Sequence, residues 1–112
     1  MANAFKTFTA QNIDTSSTGK TTLYTCPAST ETTIIGLNIA NILTSSITIT
    51  VEFVDGGSTI THLVKDAIVP VGSSLVVAGG DQKIVMNATD ILKVYASQDN
   101  SCDAVLSVLE IT

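Results

Sequence analysis

His62 is the only imidazole in this chain of 112 residues. A general base needs a nucleophile and an orienting partner within hydrogen-bond reach. His62 lies between Ile60 and Val64 on one face of a strand-like stretch, and Asp66, of the same parity, is two same-face positions further along. The reading is therefore a hydrogen-bonded or interface histidine, not a catalytic one. Gly19-Lys20-Thr21 imitates the end of a phosphate-binding loop. That loop needs a glycine five residues earlier, where Asp14 stands, and it needs a strand before it and a helix after it. A solvated loop is expected instead.

Two cysteines, Cys26 and Cys102, and one histidine cannot make a zinc site. The start of the chain lacks a charged segment followed by an apolar one, so no export route is expected and both thiols should be free and partly buried. The ten acids are Asp14, Glu31, Glu52, Asp55, Asp66, Asp81, Asp90, Asp99, Asp103 and Glu110. None is at calcium-loop spacing. Asp55, Asp81 and Asp99 stand beside Gly, Asn or Ser, where aspartate serves turns. Asn87-Ala88-Thr89 is a glycosylation sequon without a secretory route. There is no Trp, and Tyr24 and Tyr95 alone offer little of the aromatic platform that sugar-binding sandwiches present. No catalytic residue, cofactor-binding residue or metal ligand is expected, and no cofactor; the chain does not read as an enzyme.

The elements that carry these residues read as strands. Val, Ile and Thr account for 40 of the 112 residues, and their stiff side chains fit a pleated sheet. Residues 1–20 read as a polar arm with two large apolar groups, Phe5 and Phe8. Residues 21–112 read as one β domain, with strands at 21–25, 33–42, 47–54, 58–65, 74–78, 82–86, 91–97 and 104–111. Ile47, Ile49, Val51 and Phe53 alternate with Thr48, Thr50 and Glu52, the period of a half-buried strand. In 33–42 the same alternation puts Ile35, Leu37 and Ile39 on one face. Asp55-Gly56-Gly57 and Gly79-Gly80-Asp81 mark turns, Pro70 marks an edge or a bend, and 98–101 reads as a hairpin between the last two strands. The fold class is all-β: an antiparallel two-sheet β-sandwich of about eight strands, of jelly-roll or immunoglobulin-like type.

Charge narrows the partners. Five Lys, no Arg and ten acids leave a net charge of −5. That repels phosphate backbones and anionic membranes alike, so neither nucleic acid nor membrane is an expected partner. Only 13% of residues are charged, about half the usual share. The last strand is apolar on both faces, with Ala104, Leu106 and Val108 on one and Val105, Leu109 and Ile111 on the other. A small monomer has little use for that. Phe5, Phe8, Leu109 and Ile111 are the candidate interface residues, and the expected partner is a second copy of the chain, in a homo-oligomer read as a trimer.

Thr22-Leu-Tyr-Thr-Cys-Pro-Ala28, Val69-Pro-Val-Gly-Ser-Ser-Leu75, Gly79-Gly-Asp-Gln-Lys-Ile-Val85, Asp90-Ile-Leu-Lys-Val-Tyr-Ala-Ser97 and Leu106-Ser-Val-Leu-Glu-Ile-Thr112 together resemble the small virion structural proteins of tailed bacteriophages, the cyanophage and marine-phage type. Asn87-Ala-Thr-Asp90 departs from the Ala-Gly-Asp turn expected there. The resemblance implies an accessory virion protein, a capsid decoration or neck attachment, with other capsid, neck or tail proteins as partners. It implies location in the virion, and in the host cytoplasm during assembly. A tail-fibre or baseplate component is one alternative, and a carbohydrate- or ligand-binding module is another.

Overall fold

Nine strands make up the fold in the computed structural model, which describes residues 3–79 and 83–112. They are β1 (Asn3–Ile13), β2 (Thr21–Thr25), β3 (Glu31–Asn41), β4 (Ile47–Asp55), β5 (Thr59–Val69), β6 (Ser74–Ala78), β7 (Ile84–Met86), β8 (Ile91–Ala96) and β9 (Cys102–Ile111). One sheet has the order β1-β9-β3-β6, with β7 also on β3; the other has the order β2-β8-β4-β5. Every pairing is antiparallel.

The order of pairing decides between the two expected types. Pairs β4–β5, β3–β6, β2–β8 and β1–β9 nest about the turn at Gly56 and Gly57. A nested ribbon of this kind, wrapped so that β9 meets β3 and β8 meets β4, is a jelly roll. The turn itself needs left-handed backbone at both glycines (φ 62° and 78°), which costs little without a Cβ. Its Gly56 N–H donates 2.8 Å to Oδ1 of Asp90, whose Oδ2 accepts 2.8 Å from Asn87 N–H. That carboxylate is buried and ties the tip of the β4–β5 ribbon to the loop before β8.

Between the sheets lies an apolar core. Ile34, Leu37, Ile39, Leu106 and Val108 come from one sheet, and Ile47, Ile49, Val51, Leu92 and Val94 from the other. Phe53 has the same parity as Ile47, Ile49 and Val51 but packs at the rim, half-buried. Register shifts flank Val51, where β5 bulges, and Phe53 lies beyond them near the end of β4.

Several sequence expectations change. Within the expected arm, Asn3–Ile13 is a strand registered along β9 from Asn3↔Ile111 to Ala10↔Ala104. Its polar residues are those of an edge strand with one wet face, which reads as loop until a partner strand is known. Ile34, not Ile35, enters the core alongside Leu37, because an extra residue bulges between Ile34 and Gly36 and inverts the parity. The 58–65 strand runs on to Val69 through a bulge where Asp66 takes φ 52° and donates its N–H to Thr50 Oγ1; Pro70 then ends it. Residues 97–101 are no hairpin, because β8 and β9 belong to different sheets and the segment crosses between them. Its Asp99 serves a neighbouring loop, accepting from Thr15 N–H at 3.0 Å, Thr15 Oγ1 at 3.0 Å and Thr18 Oγ1 at 2.8 Å. Of the expected 82–86 strand, Ile84–Met86 forms. Gly80, Asp81 and Gln82, with the turn expected there, lie outside the described residues.

Candidate interaction surface

The outer face of the five-stranded sheet is assembled by register. Phe5 on β1 lies opposite Leu109 on β9, Leu109 opposite Thr33 on β3, and Thr33 opposite Val85 on β7. Further along the strands, Thr9, Val105, Asn38 and Val76 form a second row across β1, β9, β3 and β6. Between the rows lie Thr7, Ser107 and Gly36. No residue in these rows is charged; Asp103 and Glu31 stand at opposite ends. Phe5 is 78% exposed, Val76 66%, Val85 58% and Val105 46%. Contiguous exposed apolar groups of this kind mark a contact surface, whereas single ones do not.

Three of the four residues singled out in the sequence share this face. Phe5 is at its edge, and Leu109 and Ile111, both half-buried, are within it. Phe8 is not there. It points inward from β1 and rests on Tyr24, with ring centroids 4.7 Å apart and planes inclined by 55°. Val105 has the same parity as Leu109 and is legible from sequence, whereas Val76, Val85 and Gly36 join the patch only through pairings to β3 that no sequence period reveals.

At the centre, Gly36 leaves a hole. The missing side chain opens a shallow trough of about 310 Å³ lined by Gly36, Asn38, Val76, Gly79, Val105 and Ser107.

The opposite outer face, on β2-β8-β4-β5, is built differently. Lys93, Glu52 and His62 lie in one row across β8, β4 and β5. Glu52 is buried, and both its oxygens accept from Lys20 Nζ, at 3.0 and 3.2 Å. His62 Nε2 is 3.5 Å from Glu52 Oε2. The histidine thus meets a carboxylate, but from the neighbouring strand and not Asp66, which is engaged with Thr50. With its oxygens shared between Lys20 and His62, Glu52 holds a cross-strand polar cluster, and among the described residues no hydroxyl or thiol is hydrogen-bonded to it. Lys20, from the string that imitates a phosphate loop, is committed here; its ammonium also lies 5.4 Å from the centre of the Tyr95 ring, on one of that ring's faces. Tyr24 is buried. Neither tyrosine stands as a free stacking platform.

A second polar chain runs through the core at one end. Lys6 Nζ reaches Glu110 Oε1 at 2.8 Å. Tyr24 Oη donates to Glu110 Oε2 at 2.6 Å and lies 2.8 Å from Thr32 Oγ1, itself 3.3 Å from Cys26 Sγ. The chain joins β1, β9, β2 and β3. Hydrogen bonds from Lys6 and then from Tyr24 hold the Glu110 carboxyl below its ordinary range, while burial, and then the bond to Glu110, push the Tyr24 phenol up. Sequence reading missed both Glu52 and Glu110 as organised groups; Glu110 alone gave a signal, as an acid on the otherwise apolar face of Ala104, Leu106 and Val108, whereas Glu52 continues the polar face of Thr48 and Thr50.

Both cysteines are free and buried. Cys26 is beside Thr32, near one end of β3, and Cys102 pairs with Asn41 at the other. Nine residues of strand, roughly 30 Å, separate those positions, far beyond disulfide reach. Burial pushes the Cys102 thiol up to about 11. Among the described residues no three His, Cys, Asp or Glu side chains converge where a metal could sit.

No family model matches the chain, and no curated protein sequence does. Among solved structures, a pilus chain of Bacillus endospore appendages, described as a novel family of disulfide-linked pili, superposes with a TM-score of 0.56 at 15% identity. The match covers 97% of this chain and 84% of that one. At that identity the likeness shows the fold alone.

Proposed function

We propose that this chain is a non-enzymatic accessory structural protein of a tailed-phage virion, a capsid decoration or neck attachment, working through contacts between its own copies and with neighbouring virion proteins. The observation that carries the reading is the outer face of the five-stranded sheet, whose central rows hold no charge and which in a free monomer would leave Phe5, Val76 and Val85 in water. The jelly roll is a recurrent architecture of virus coats, and a fold neighbour is a chain of the disulfide-linked pili of Bacillus endospore appendages. Both are analogies of fold, and they favour a building block over an enzyme.

The disulfide linkage of that neighbour does not come across. Cys26 and Cys102 are both buried, so copies of this chain associate through surface packing. Light scattering on the purified protein tests the reading. The expected mass is a multiple of 11.6 kDa at micromolar concentration, unchanged by reductant. A single-chain mass, together with no retention on capsid, neck or tail proteins, refutes it. Antibody labelling of intact particles then decides between capsid, neck and the tail-fibre or baseplate alternatives.

A further inference from the structure

We infer that the chain pairs with a second copy across the outer face of the five-stranded sheet, with Phe5 of each copy seated in the Gly36 trough of the other. This rests on the reading above that copies associate, and adds which face they use and how it fits itself.

Phe5 is the most exposed large apolar side chain on the described surface, at 78%. It projects from the same face as the trough, two strands away. From the register of Phe5 on Leu109 and the place of the trough beside Val105 and Ser107, knob and hole are roughly 15 Å apart. A two-fold axis lying in the face and passing midway between them carries each knob onto the other copy's hole. The line from knob to hole runs diagonally to the strands, so the axis does too, and the strands of the two copies cross where the faces overlap. One self-complementary patch used twice is the usual geometry of a homodimer.

Charge and area favour a second copy over another occupant. Each chain carries −5, so faces bearing acids would repel, but the rows between Asp103 and Glu31 on β1, β9 and β3 hold no charged residue, and Lys83 beside β7 is basic. In plan it spans about four strands by eight residues, roughly 500 Å², and more along its contours. That is of the order of the ~800 Å² per partner that a stable pair buries. The contact closes on itself as a pair, in place of the three-fold closure expected from the sequence.

The trough also supplies a clean probe. A Cβ added at Gly36 would meet only the Ala78 carbonyl oxygen, at an ordinary 3.6 Å, so the strand accepts a side chain there, and Gly36→Val, a residue suited to strands, puts two methyl groups into the hole. Phe5→Ser removes the knob from an exposed edge position. Sedimentation velocity on the full chain, from 1 to 100 µM by design, should show wild type as a pair. Each variant should dissociate about 100-fold more readily, because two buried rings are lost per pair. Thermal midpoints extrapolated to the monomer should stay unchanged. An equimolar mixture of Phe5→Ser and Gly36→Val chains keeps one intact knob and one open hole across each mixed pair, so mixed pairs should form about tenfold more tightly than either variant pairs with itself. Ile68→Ser, on the other sheet, should change nothing. Wild type that stays monomeric overturns both this pairing and the self-association in the proposed function, and gives the face to a different virion protein. Wild type that associates but ignores Phe5→Ser and Gly36→Val, or that falls apart with Ile68→Ser, overturns the pairing alone.

Discussion

Replacing Tyr24 by Phe removes one oxygen from the middle of the Lys6–Glu110–Tyr24–Thr32 chain and leaves the ring, its contact with Phe8 and the packing around it in place. Two hydrogen bonds go: the 2.6 Å donation to the Glu110 carboxylate and the 2.8 Å contact with Thr32. A bond to an ionised group contributes about 1.5–3 kcal/mol and a neutral one about 0.5–1.5. Glu110 keeps Lys6 and Thr32 keeps Cys26, so neither is stranded, and a loss of about 2–3 kcal/mol is expected at pH 7. The pH dependence is the sharper signature. Lys6 and Tyr24 depress the folded-state pKa of Glu110 from the ordinary 4.5. A depressed carboxylate contributes stability that is complete above the unfolded value and disappears as pH falls through the folded one. The cost of Tyr24→Phe should therefore shrink as pH falls through the depressed value of Glu110, towards the roughly 1 kcal/mol of a neutral bond. Urea unfolding at fixed protein concentration and several pH values measures both. With a slope of roughly 1–3 kcal/mol per molar, the pH 7 midpoint should fall by about 1–2 M. A loss below 0.5 kcal/mol at pH 7, or one that stays constant through the acid titration of the folded protein, would refute the assignment of this chain as the clasp between the sheets.

Four further outcomes follow from the same structure. Phe53→Ala should cost about 1–2 kcal/mol in denaturant titration, below the 3–5 typical of a fully enclosed ring, because Phe53 packs at the rim of the core. Cys26 and Cys102 should resist a thiol reagent at pH 7 in the native protein and react together on unfolding, read as two equivalents released in one phase. Removing residues 1–12 should lower folding stability itself, seen as a fall in thermal midpoint for any soluble product, because β1 covers one edge of β9 and brings Lys6 to Glu110. Asp90→Ala should cost about 2–3 kcal/mol by chemical denaturation, since it strips the Gly56 and Asn87 amides of their acceptor; a change within 0.5 would show water replacing it.

How much of this was legible in the sequence depended on whether a residue's role was local. The alternation through Ile47–Val51, the glycine turn at Gly56 and Gly57 and the inward set Ala104, Leu106 and Val108 rest on backbone geometry within a few residues, and they were read correctly. β1 was taken for an arm because its inward residues, Ala4, Lys6, Phe8 and Ala10, include a lysine and two alanines, too weak an apolar stripe without β9 beside it. The bulge at Ile35 inverted one face for a reason that depends on the partner strand. Glu52, His62 and Lys20 are 10 and 32 residues apart in sequence, counted from Glu52, and only the pairing of β4 with β5 and the path of the loop before β2 make them neighbours. The candidate interface was half visible for the same reason: Leu109 and Ile111 declare themselves along one strand, whereas Val76, Val85 and the Gly36 trough are joined to them across strands.

The two outer faces and the free edges, taken together, restrict how copies of this chain can meet. A sandwich with bare edges tends to grow by adding strands. Here β5, at one edge, is bulged at Asp66, carries Lys65 and His62 and ends at Pro70, all features that spoil an incoming strand. At the edge of the other sheet, β1 shifts register between Ala10 and Ile13, where its Asn12 N–H is taken by Asp103 Oδ1. The outer face of the four-stranded sheet carries charge across its middle, in a row of Lys93, Glu52 and His62 with Lys20 folded over Tyr95, and exposes Ile68 nearer one end. Stacking on that face would desolvate an ion cluster already holding a buried carboxylate, at a cost that packing seldom recovers. The remaining broad surface is the one whose middle has no charge and whose centre lacks a side chain. Polar residues there are Thr, Ser and Asn, which can stay hydrogen-bonded in a partly wet contact. An apolar face left open by default would be expected to carry scattered lysines, as soluble sandwiches do. The uncharged central rows of this face, set against the interrupted β1 and β5 edges and the charged opposite face, are what the proposed pairing draws on.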